Sequence, residues 1–89
     1  MSGLELVLAT GQRATVRALE GDVLRVESDR PLPPGSRVDG RIGAVTIRGK
    51  VSGARRGPDG RALVTLRLTD LTRADRAEIE AALLALLAQ

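Results

Sequence analysis

The chain contains no Phe, Trp, Tyr, Cys or His in its 89 residues. Lacking both Cys and His, it has no disulfide, no thiolate nucleophile, no thiolate or imidazole metal ligand and no imidazole acid–base group. Lacking aromatic rings, it has no platform on which a base or a sugar could stack. A core must then be assembled from Leu, Val, Ile and Ala, because apolar residues still make up 43% of the sequence. The missing cysteines fit the cytoplasm, which is the expected location. The opening MSGLELVLATG has no basic n-region and only a short apolar run, so neither a signal peptide nor a membrane span is expected. The length fits one domain over residues 1–89 with an adequate but not generous core. The Met1 start and the ordered helix end read as a complete small protein.

Lysine is also scarce. Net charge is +3, carried by thirteen Arg and one Lys. Between Arg37 and Arg67 stand eight basic residues against Asp39 and Asp59, whereas from Asp70 onward two basic residues face four acidic ones. One face is therefore expected to be basic and the C-terminal end mildly acidic. A solvated Arg-rich surface accounts for such a face, and so does an anionic partner.

What the sequence does have is period-2 alternation. Leu4, Leu6 and Leu8 alternate with Glu5 and Val7; Ala14, Val16 and Ala18 alternate with Thr15 and Arg17; Leu24 and Val26 face in while Arg25 and Glu27 face out. Glu20-Gly21-Asp22 closes a hairpin between the second and third of these strands. The segment Asp29 to Gly35 holds three prolines, which remove ladder donors, so it reads as a rigid loop whose Leu32 plugs the end of a barrel. Val38 and Ile42 resume a strand, Gly43-Ala44 turns, and Val45, Ile47 and Val51 form the next with Arg48 and Lys50 outward. Pro58-Asp59-Gly60 turns into a last strand in which Val64, Leu66 and Leu68 alternate with Thr65 and Arg67.

That last strand runs directly into a helix starting near Thr72, whose hydroxyl is placed to accept from the Asp75 amide. Asp75, Glu78 and Glu80 complement the helix dipole, and Ile79, Ala82, Leu83, Leu86 and Leu87 make one apolar stripe. A helix of this length is marginal alone and must lie on the strands, here across a barrel face. The expected fold is mainly β: a six-stranded antiparallel barrel, which abolishes sheet edges, with one C-terminal α-helix. Its inward residues are Leu6, Leu8, Val16, Leu24, Val26, Val38, Val45, Ile47, Val64, Leu66, Ile79, Leu83 and Leu86.

The strand order, the Leu32-Pro33-Pro34-Gly35 loop, the run Leu68-Thr69-Asp70-Leu71 and the Arg-rich start of the closing helix resemble the PilZ domain family. The resemblance runs from Leu4 to Leu87. It implies a six-stranded antiparallel barrel with a C-terminal helix and a bacterial receptor for cyclic di-GMP. Members bind that ligand with an R-x-x-x-R segment ahead of the first strand, whose guanidiniums pair phosphates and stack on guanine, and with a D/N-x-S-x-x-G segment across the second hairpin. Here Ala18, Glu20 and Val23 stand where Asp, Ser and Gly belong, and Glu20 repels a phosphate. The sequence carries no R-x-x-x-R ahead of Leu4; Arg13-Ala14-Thr15-Val16-Arg17 spells it only at the second strand. The resemblance is thus to a degenerate member.

Other chemistries find no support. Glu78 and Glu80 are two apart on a helix and do not face each other, no Ser has a base beside it, and Gly57-Pro58-Asp59-Gly60 precedes a strand rather than a helix N-terminus. No enzyme, cofactor or metal is expected. The reading is a PilZ-like adaptor or regulatory module in cyclic di-GMP-linked signalling or motility, acting on a protein partner or by self-association. Leu84 lies off the apolar stripe and should be exposed, and Leu87 at its edge should be only partly covered; both are candidate partner contacts. The alternative is binding of cyclic di-GMP or another anionic nucleotide or nucleic acid through an Arg-rich face, with Arg13 and Arg17 as ligand contacts. Cyclic di-GMP is not favoured, and nucleic acid is disfavoured by the missing aromatics.

Overall fold

A computed structural model describes residues 4–57 and 59–88. Pro58 of the expected Pro58-Asp59-Gly60 turn lies outside the described residues. Six strands and one helix follow in chain order: β1 (Glu5–Leu8), β2 (Arg13–Glu20), β3 (Val23–Ser28), β4 (Arg37–Ile42), β5 (Val45–Arg56), β6 (Ala62–Thr69) and α1 (Arg73–Leu87). Every neighbouring pair is antiparallel, and the order β1-β2-β3-β6-β5-β4 closes on itself as β4 pairs with β1. The mainly β barrel with a C-terminal helix is therefore the observed fold.

Alternation places the core. Of the thirteen residues expected inside, eleven are buried, while Leu83 and Leu86 on the helix are half-buried. Ala14, Leu19, Ile42, Val51, Ala62 and Leu68 complete the cluster. Leu19 replaces the expected Ala18 because β2 carries a bulge: Val16 faces Val26, but Ala18 faces Arg25, so Arg17 is the extra residue and the alternation changes phase after it. A second bulge leaves Ser52 extra in β5, between the pairs Val51–Leu66 and Gly53–Thr65.

A ring of six strands is narrower than the eight-stranded barrels whose interiors side chains just fill. Gly40 and Gly49 occupy inward positions, and there a Cβ would stand 2.7 Å from the Val7 carbonyl oxygen and 2.5 Å from that of Arg67, respectively. Both obstacles are backbone, which cannot swing aside. The two glycines let β4 press against its neighbour β1 and β5 against its neighbour β6.

The two mouths are closed differently. At one, the β3–β4 loop leans in with Leu32 packed on the core, as expected. There Gln12 Nε2 donates to Oγ of fully buried Ser28 at 2.6 Å and so links the β1–β2 turn to that loop. At the other, the chain leaves β6 through Asp70, which takes a left-handed φ of 58°, and enters α1. Thr72 caps the helix, its Oγ1 accepting from the Asp75 amide at 3.0 Å. The helix lies against β2 and β5, which stand opposite each other in the ring. It thus crosses the mouth instead of lying along a face. Ile79 is its one buried residue, 1% exposed, and plugs the opening. Arg76 donates from Nη2 to Asp22 Oδ1 at 2.7 Å and pins the helix to the β2–β3 turn.

Gly49→Ala should cost about 1–3 kcal/mol, as overpacked cores do. Gly53→Ala, where a Cβ meets nothing within 4 Å, should stay within about 0.5 kcal/mol of the parent. Urea unfolding followed by circular dichroism measures both; equal effects would mean that β5 and β6 are not in close contact at Gly49.

Candidate functional site

A helix of 15 residues is about 22 Å long, and its C-terminal half overhangs the outside of β1, β2 and β3. Between the overhang and the barrel runs an open groove of about 760 Å³. Leu4, Leu83, Leu86 and Leu87 supply its apolar wall, and Thr15, Arg17, Glu27 and Arg61 its polar floor.

The floor is organised by the β2 bulge. Glu27 points outward as alternation requires, yet it is buried, at 7% exposure, because Arg17 covers it. The Arg17 Nη2 to Glu27 Oε1 distance is 2.9 Å. The bulge that makes Arg17 the extra residue of β2 also sets its guanidinium over the neighbouring strand. The neighbouring pair, Arg61 with Asp29 at 3.3 Å, extends this charged floor toward the β5–β6 turn.

The four residues expected to bind ligand or partner are not brought together as expected. Arg17 and Leu87, assigned to different roles from the sequence, line the same groove. Arg13 sits at the start of β2, about 13 Å away at ~3.3 Å per residue. It faces a separate depression with Thr10, Gln12 and Arg30, and lies 3.9 Å from Glu5. The two arginines of the R-x-x-x-R string therefore do not converge on one ligand position, and each stands beside its own carboxylate. Glu20, at the position of the family's serine, is paired with Arg25 at 3.3 Å. Leu84 is 65% exposed, as expected, and does not line the groove. Leu87 is 81% exposed and so barely covered, where partial cover was expected. The overhang explains the difference, since the barrel no longer lies beneath the last turn.

Comparison with protein-family models, curated proteins and solved structures finds no match. What the site can do is therefore read from its own geometry.

Sequence reasoning missed the groove and the burial of Glu27. It also missed a row on the far side of the ring, where Arg37, Lys50 and Arg67 stand directly opposite one another on β4, β5 and β6. All three are polar positions of alternating strands, but which of them are neighbours depends on register.

Removing Arg17 uncovers a carboxylate that the fold keeps from water. Arg17→Ala should destabilise the domain by about 1–3 kcal/mol, the range for a buried polar group left without its partner. Arg13→Ala removes one side of an exposed 3.9 Å pair and should cost under about 1 kcal/mol. Denaturant midpoints compare the two. If Arg13→Ala proves the more costly, the Arg17–Glu27 pair does not organise the groove floor.

Proposed function

We propose that this chain is a non-catalytic, PilZ-like adaptor or regulatory module that works by binding another protein through the overhanging end of α1. One observation carries the reading. From Ala81 to Ala88 the helix has no polar residue, and Ala81, Leu84, Ala85, Leu87 and Ala88 are exposed. A helix that is apolar all round belongs against other protein on every side. Here the barrel half-covers only Ala82, Leu83 and Leu86. Leu84 and Leu87 are three apart and therefore neighbours on the surface, with the groove beside them. A partner helix or strand that laid apolar side chains over this pair and reached the Arg17–Glu27 floor would complete the cover.

The bacterial and cytoplasmic setting, and the link to cyclic di-GMP signalling or motility, belong to the same proposal and rest on the PilZ resemblance. Among the described residues no helix is long and apolar enough to cross a membrane. Cyclic di-GMP itself has little to hold it. Arg13 and Arg17 are apart and engaged with Glu5 and Glu27, and Glu20 stands in the β2–β3 hairpin. Micromolar affinity needs roughly 8 kcal/mol. Two exposed ion pairs at about 0.2–1 kcal/mol each do not approach it.

Titration calorimetry with cyclic di-GMP should therefore show no saturable heat in the micromolar range. Saturable binding lost in Arg13→Ala or Arg17→Ala would replace the adaptor reading with a receptor. Leu84→Glu and Leu87→Glu should each leave thermal stability within about 0.5 kcal/mol, as exposed substitutions do. Both should weaken association, read by light scattering for copies of the chain and by pull-down for other partners. If both variants associate like the parent, the helix end has no docking role.

A further inference from the structure

Among the described residues, every carboxylate from Glu5 to Asp39 lies within ion-pair distance of an arginine: Glu5, Glu20, Asp22, Glu27, Asp29 and Asp39. Among the described residues Arg30, Arg37, Arg41, Lys50, Arg55, Arg56, Arg67 and Arg73 make no ion pair, and of these Arg37, Lys50 and Arg67 stand out because they fall in one row across three strands. Register sets Arg37 opposite Lys50 and Lys50 opposite Arg67, all outward and exposed. Like charges directly opposite on neighbouring strands destabilise a sheet, and here the repulsion occurs twice. Neighbouring strands are about 4.8 Å apart, so the three positions span roughly 10 Å.

The rows on either side of it carry no net charge. In the next outward row the Asp39–Arg48 pair, 3.7 Å apart, sums to zero and continues to Thr69. On the other side lie Ser52 and Thr65, and beyond Arg67 the row meets Val23 on β3. A shallow depression adjoins the row, lined by Arg37, Arg48 and Lys50 together with Asp39, Thr69 and Asp70.

We propose that this row is a binding site for a compact polyphosphate group, either a free condensed phosphate or the phosphate chain of a nucleotide. A ligand with several negative charges within about 10 Å matches three cations over the same span, which is also about one Debye length at ordinary ionic strength. An extended nucleic-acid backbone needs a longer basic track and, when single-stranded, aromatic stacking partners; the acids Asp39 and Asp70 interrupt any such track, and the chain has no aromatic residue. The site is on the β4–β5–β6 half of the ring, opposite the helix groove, so it stands or falls independently of the adaptor reading.

The test is thermal unfolding by circular dichroism with sodium tripolyphosphate, inorganic phosphate or sodium chloride at equal ionic strength. Tripolyphosphate should raise the parent's Tm, by roughly 10–20 °C at hundredfold excess over Kd for a domain of this size, and inorganic phosphate by much less. Lys50→Gln should melt higher than the parent without ligand, because both repulsions involve Lys50, and should lose the tripolyphosphate shift. Arg67→Gln should weaken the shift, and Arg13→Gln, on β2 across the ring from the row, should leave it intact. A nucleoside triphosphate that binds more tightly than tripolyphosphate, with the same loss in Lys50→Gln, identifies the nucleotide as the source of the phosphate chain; equal binding identifies the free chain. A shift that survives in Lys50→Gln overturns the proposal. So does an oligothymidylate that displaces tripolyphosphate at lower phosphate concentration, which would make the face a nucleic-acid surface.

Discussion

Closing six strands around a filling made only of aliphatic side chains is the constraint on which the rest of this structure depends. With no aromatic ring available, no single side chain can span the interior, and close-packing has to come from many small contacts. Adjacent strands press together where Gly40 and Gly49 omit a Cβ, and the bulges at Arg17 and Ser52 add the local bend and twist that closure of a short ring needs. Closure removes sheet edges but leaves two mouths. One is filled by Leu32 from the proline-rich loop and the other by Ile79 from the helix. A buried isoleucine contributes about 1.5–3 kcal/mol.

The bulge on β2 does more than bend a strand. It moves Leu19 into the core in place of Ala18 and turns Arg17 across β3 to cover Glu27. One inserted residue thereby sets both the packing at that end of the barrel and the polar floor of the groove. The charges elsewhere are arranged with similar economy. Each carboxylate of the first four strands and their connecting turns has an arginine beside it, and most of these pairs join neighbouring strands or turns. Such exposed pairs add little stability individually. Their value is in cancelling local charge, which leaves the surplus on the unpaired cations, of which Arg37, Lys50 and Arg67 stand side by side.

Much of the fold was legible because period-2 alternation runs without a bulge in four of the six strands, and because Thr72 and Asp75 are a local capping signal that needs no tertiary context. The strand positions, the helix start and most of the core follow from that. The phase error at Ala18 came from the bulge, which has no local signature: Val16-Arg17-Ala18-Leu19 is consistent with either phase. The site was less legible. Exposure of Leu84 follows from its angle on the helix, but Leu87 is exposed because the helix outruns the mouth, and that depends on barrel diameter. Pairings such as Arg17 with Glu27, or Arg37 with Lys50 and Arg67, join residues far apart in sequence and exist only once register is fixed.

The helix has two halves with different reasons to exist. Its first half caps, pins and plugs the barrel through Thr72, Arg76 and Ile79. After Leu83 it contributes little to closure, yet the sequence goes on placing leucines where the barrel does not reach. Alanine and glutamate favour helix as well as or nearly as well as leucine, so propensity alone does not require Leu84 or Leu87. Folding leaves these two side chains unexplained, in the same way that it leaves the unpaired Arg37–Lys50–Arg67 row unexplained. The two surfaces lie on opposite halves of the ring, β1-β2-β3 for the groove and β6-β5-β4 for the row. A protein on one and an anion on the other do not compete for space. Any communication between them has to pass through the aliphatic core, where Leu24, Leu66 and Val51 form a continuous layer from β3 through β6 to β5.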